Sequence, residues 1–199
     1  MRLRYLTLAL LVLFLLLPGC GDDDEDEGAQ ETTTTERAAA EGVFVGEVEG
    51  TDAYVALISD GTELRGGYVC DGKRTSVWLK PAALSDGQVS LTSRAGEALG
   101  TAELSDDGAG GELKLAGEAH AFSAAPASGK AGLYREAKGE LGKPGYSETG
   151  WIVLADGSVR GRTNFAATDP DAKTGTKAAP SSVGGDSLDT GYIDPTHDL

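Results

Sequence analysis

Catalysis and metal binding need nucleophiles, bases or soft ligands brought together, and this chain of 199 residues offers few of them. Two cysteines, Cys20 and Cys70, and two histidines, His120 and His197, are its whole supply of those types. A zinc site takes three or four ligands, so Cys70 with His120 falls short of one. No Gly-x-Ser-x-Gly turn is present to raise a serine nucleophile. Gly108, Gly110 and Gly111 do not make a phosphate loop, because no helical pattern follows them to offer its N-terminus. The acidic run Asp22 to Glu27 fails as a calcium loop, since a loop begun at Asp22 puts Glu27 where glycine is required. Paired carboxylates are expected by composition alone in a chain with 32 acidic residues. His120 falls at an inward position of an alternating run and reads as a core residue, and His197 lies in a polar C-terminal stretch. No catalytic residue, cofactor or metal is implied.

One spacing does specify chemistry. Leu17-Pro18-Gly19-Cys20 places an aliphatic residue three positions before a cysteine, with small residues between. Arg2 and Arg4 ahead of the apolar run Leu6 to Leu17 complete the grammar of an export signal. The run is too short to cross a bilayer, which takes roughly 20 apolar residues, and it lacks an Ala-x-Ala site for ordinary cleavage. The segment resembles the lipobox of bacterial lipoproteins, and the resemblance covers residues 1–20. It implies a signal peptide over residues 1–19 and a diacylglyceryl, often also N-acylated (palmitate-type), Cys20 as the mature N-terminus. It further implies a chain held at the cell membrane by that lipid and facing away from the cytoplasm.

Charge bears on how such a chain is held. Removing residues 1–19 takes Arg2 and Arg4 from the 17 basic residues and none of the 32 acidic ones, so 15 stand against 32 and the mature net charge is −17. A chain this acidic is repelled by nucleic acid and by anionic headgroups, which excludes nucleic-acid binding and leaves the membrane attachment to the lipid. Cys70 then has no partner cysteine within the chain and reads as a small buried residue.

The organisation around these residues is legible in texture. Residues 21–42 are acidic and low in complexity, giving with Cys20 a disordered linker over residues 20–42 of about 25 Å mean reach. Thr32 to Thr35 within it could accept O-linked sugar. From Val43, short alternating runs are divided by turn pairs such as Asp60-Gly61, Asp71-Gly72, Asp86-Gly87 and Asp107-Gly108, the residues that tight hairpins favour. The expectation is an all-β fold: a small antiparallel meander barrel or sandwich of about eight strands over residues 43–137. An additional hairpin over residues 138–165 packs on it, and a disordered tail fills residues 166–199. Parity puts Leu64, Tyr68 and Cys70 on one face of their run. Val43 to Val48, Ala53 to Ser59 and Val77-Trp78-Leu79 are apolar on both faces and call for a cover.

Trp78 is expected on the outer face of its strand, shielded by the hairpin that carries Trp151-Ile152-Val153-Leu154. If it is not so covered, Trp78 and Trp151 are the candidate anchors for a partner. Tyr68-Val69-Cys70-Asp71-Gly72, Val77-Trp78, Gly132-Leu133-Tyr134 and Trp151 to Leu154 give residues 43–162 a texture that resembles small β-rich extracytoplasmic domains of high-GC bacteria, which implies no activity. Two function classes follow: a non-catalytic binding module for an envelope protein or ligand, or an envelope enzyme or accessory whose residues converge only in three dimensions.

Overall fold

The structure is a computed structural model that describes residues 40–166, 175–192 and 194. Cys20, His197, Thr32 to Thr35, the signal segment and the linker lie outside the described residues. The described chain is all-β, as expected.

The first sheet contains β1 (Glu41–Val48), β2 (Tyr54–Asp60), β3 (Glu63–Cys70), β4 (Ser76–Leu79), the short β5 (Ala82–Ala83), β6 (Gln88–Thr92), β7 (Ala98–Ser105), β8 (Gly108–Leu115) and β9 (Glu118–Pro126). Its order is β4-β3-β2-β1-β9-β8-β7-β6, every pair antiparallel. The outer strands of that list approach each other. Leu79 bridges to Ser93, Lys80 N–H donates to the Thr92 carbonyl at 2.8 Å, and Arg94 N–H donates to the Trp78 carbonyl at 3.0 Å. The sheet is thus a nearly closed up-and-down barrel with strands neighbouring in chain order. Two-residue turns set the hairpins: Asp86-Gly87 (φ 52° and 78°) and Ala116-Gly117 (φ 51° and 92°) adopt the positive angles that match strand twist.

Phe44, Val55, Leu57, Leu64, Val69, Leu79, Leu91, Leu113 and Phe122 form one buried cluster that fills the barrel. The half built from β1 to β4 is apolar outside as well, through Val45, Tyr54, Ala56, Ile58, Tyr68, Cys70 and Trp78. One expectation fails here. Leu64 points into the barrel, whereas Tyr68 and Cys70 point out. The pairing of β2 with β3 jumps from Ile58↔Gly66 to Ser59↔Leu64, so Arg65 is an extra residue. Such a bulge inverts the parity of everything beyond it.

A second antiparallel sheet covers that outer face. It contains β10 (Gly132–Lys138), β11 (Ser147–Val153), β12 (Val159–Phe165), β13 (Gly175–Ala178) and β14 (Asp186–Ser187), in the order β13-β12-β11-β10-β14. Leu133 and Ile152 enter the same apolar layer as Tyr68 and Trp78. Two boundaries therefore move. Residues 132–137 open the second sheet rather than close the barrel, because their pairing is with β11. The described part of residues 166–199 is structured: β13 and β14 add to opposite edges of the sheet, and the chain between them crosses its outer face. These strands carry no alternating apolar signal and are recruited by backbone pairing.

Candidate functional site

The contact between the sheets is made possible by a glycine. A Cβ at Gly150 of β11 would lie 2.7 Å from Tyr68 Cε1 and 2.9 Å from Trp78 Cζ2, so only glycine lets the strand rest on the two rings. Those rings lie 4.5 Å apart between centroids, tilted by 33°. Trp78 is 4% exposed and thus covered by the chain itself, on the outer face of β4 as the sequence indicated. Trp151 points to the opposite face of β11 and is 2% exposed. The crossing segment shields it: its Nε1–H donates to the Pro180 carbonyl at 3.3 Å, and Gly184 sits against the ring.

Beside Trp78 lies a cluster of charges drawn from residues far apart in the chain, which no spacing in the sequence marks. The Arg94 guanidinium stacks over the Trp78 ring, 4.8 Å from its centroid. Its Nη1 donates to Glu148 Oε2 at 2.6 Å. Nε and Nη2 clasp the Asp194 carboxylate at 3.0 and 2.6 Å, and Nη2 also reaches Tyr192 Oη at 3.1 Å. Arg135 Nε holds the other oxygen of Glu148, and its Nη2 reaches Tyr146 Oη at 3.3 Å. The carboxylates are shut away from solvent, with side chains 3% exposed at Glu148 and 0% at Asp194. Burial opposes the charge on Arg94, but Glu148 and Asp194 outweigh it and hold its proton more firmly than an ordinary guanidinium does. Burial also pushes the Tyr192 and Tyr146 hydroxyls up, so both stay protonated donors. Gly66, next to the bulge at Arg65, leaves room for this cluster, since a Cβ there would lie 3.1 Å from Tyr192 Cε1 and 3.6 Å from Asp194 Oδ2.

A cleft of about 420 Å³ opens over this cluster, between the end of β4, the turn after β6, and the ends of β11 and β12. Val77, Trp78, Leu141, Phe165 and Ala166 make its walls apolar, while Arg94, Glu148, Tyr146 and Asn164 supply polar edges. Two polar atoms of lining residues are unsatisfied: Trp78 Nε1 has no acceptor and Asn164 Oδ1 no donor, although both atoms are buried. A larger hollow of about 550 Å³ runs over the outside of β7 to β9, walled by Thr101, Glu103, Gly110, Gly111 and Ser123. Its walls are backbone, small residues and exposed polar side chains such as Glu103, with no cluster of buried polar groups, so the smaller cleft is the candidate site.

The remaining candidates disperse. Cys70 is buried, and burial raises its thiol pKa above the usual value. His120 is half-buried near the barrel rim, its Nδ1 3.2 Å from the Glu49 carbonyl oxygen, on the Phe122 side of β9. Gly108, Gly110 and Gly111 are strand residues of β8. Among the described residues no three or more His, Cys, Asp or Glu are placed to hold a metal ion, and no helix is long and apolar enough to cross a membrane. The fold and site define a two-sheet β-protein with a composite cleft at the sheet junction. Comparison with protein-family models, with curated proteins and with solved structures finds no match to this chain.

Proposed function

We propose that the chain is a lipid-anchored binding protein of the cell envelope, using the junction cleft to hold a small ligand. Leu17-Pro18-Gly19-Cys20 supports the anchor, and the acidic residues 21–42 support a spacer between the lipid and the barrel. The observation that carries binding over catalysis is the self-compensation of the buried charges. Arg94, Arg135, Glu148 and Asp194 are tied to one another. None is poised to pass a proton to or from a bound molecule, whereas the walls around them are apolar and concave. A hollow of a few hundred Å³ with apolar walls and a few fixed polar groups is the usual form of a small-molecule site.

Two measurements test the two halves. Replacing Cys20 by Ala abolishes metabolic labelling with fatty acid and leaves the signal segment uncleaved; labelling that persists overturns the anchor. For the cleft, the neutral fluorophore N-phenyl-1-naphthylamine brightens with the parent chain and does so far less with Ala166→Trp, whose indole fills the cleft. Equal brightening of both proteins removes the cleft from the function.

A further inference from the structure

Resting on that reading, we propose that the cleft's ligand is a neutral molecule with an apolar body and an amide-like edge, whose acceptor takes the Trp78 indole N–H and whose donor gives to Asn164 Oδ1. The two unsatisfied atoms come from different sheets, Trp78 from β4 and Asn164 from β12, and both residues line the same cleft. A buried donor or acceptor without a partner is costly in the free protein, and native structures rarely leave one without a reason. A primary amide, or a lactam held cis, presents an acceptor beside a donor and matches this pair, which neither a hydrocarbon nor a simple ether does.

Charge selects the same class. The two cations of the cluster are matched by two carboxylates, so an incoming anion finds no spare positive group, and Glu97 on the wall repels it further. An incoming cation finds the Trp78 face already occupied by Arg94. Desolvating an ionic ligand against the apolar walls would go uncompensated.

Access is supplied by residues 139–145. Gly139, Gly142 and Gly145 there have φ of 81°, 78° and 83°, and Leu141, which caps the cleft, is 37% exposed. An apolar cap on a loop punctuated by glycines can swing aside and close again over the apolar body of a ligand.

The test uses the full chain carrying Cys20→Ala and three probes that share one ring system: 2-naphthamide, 2-naphthoate and naphthalene. Binding is followed in ¹H–¹⁵N spectra, where Trp151→Phe identifies the Trp78 indole resonance. The amide binds about tenfold more tightly than naphthalene and moves the Trp78 indole proton downfield as its hydrogen bond forms. Asn164→Ala brings the amide down towards naphthalene and leaves naphthalene unchanged; Asn164 Oδ1 accepts no bond in the free protein, so its removal strands no donor, and an unchanged urea midpoint verifies the fold. Equal affinities for amide and naphthalene, tighter binding of the naphthoate, or indifference to Asn164→Ala overturns the amide edge while the cleft stands. Failure of all three probes to bind overturns both the edge and the cleft.

Discussion

Arg94→Met isolates the buried charge cluster, because methionine keeps an apolar stem over Trp78 and removes only the guanidinium. Asp194 then loses its two-point cation, and Glu148 keeps Arg135 but loses Arg94. Removing one partner of a buried ion pair costs about 3–5 kcal/mol, chiefly because the other charge stays buried without compensation. The Arg94 side chain is 14% exposed and Glu148 retains a cation, which places the expected loss near the lower end, at about 3 kcal/mol. A domain of this size has about 5–15 kcal/mol in all, so the change is easily read from urea unfolding followed by tryptophan emission. The double variant Arg94→Met with Asp194→Asn recovers a good part of the loss, because the stranded charge is gone. A loss for Arg94→Met below about 1 kcal/mol, the level of an exposed pair, would refute the view that these groups are desolvated.

Gly150→Ala forces a methyl into the Tyr68 and Trp78 rings and costs about 1–3 kcal/mol of overpacking, measured by the same unfolding curve; a neutral effect would show that the sheets are not in intimate contact. Cys70 resists maleimide in the native chain and reacts promptly once unfolded. Burial raises the Cys70 thiol and the neighbouring Tyr68 hydroxyl above their ordinary values of 9.0 and 10.0. Above about pH 9 the unfolded chain therefore releases protons that the folded chain retains, and stability falls as pH rises; Cys70→Ala removes the lower of the two steps. Deleting residues 175–194 uncovers Trp151 and shifts its emission to the red, while an unchanged spectrum would mean that the crossing segment does not shield it.

The barrel was legible because its strands alternate and its turns carry Asp-Gly or Gly, so both spacing and chemistry spoke for it. The two-faced apolar character of β1, β2 and β4 also signals a cover, and the alternation of Val77, Trp78 and Leu79 puts Trp78 on the covered face, where the structure has it. The bulge at Arg65 was invisible, since an extra residue in one strand shows only against its partner, and it inverted the reading of Leu64 against Tyr68 and Cys70. The C-terminal strands were missed because Gly175–Ala178 and Asp186–Ser187 bind by backbone alone. Nothing in Ser93-Arg94-Ala95 distinguishes Arg94 from a solvated turn residue; its role depends on Glu148 and Asp194, 54 and 100 residues further on. Asn164, the sole asparagine, gave no signal beyond its rarity.

The clasp between Arg94 and Asp194 bears on how the chain reaches its native state. As the polypeptide emerges from its N-terminus, β1 waits for β9 before the barrel can close, and the outer apolar face of β1 to β4 waits longer still for β10 to β12. Contacts that distant in sequence make for slow folding. During that interval Tyr54, Ile58, Tyr68 and Trp78 are bare, which makes a half-emerged chain a natural client for holding chaperones and a target for proteases. Asp194 lies 100 residues beyond Arg94, so its clasp closes on a barrel whose strands have all been made before it.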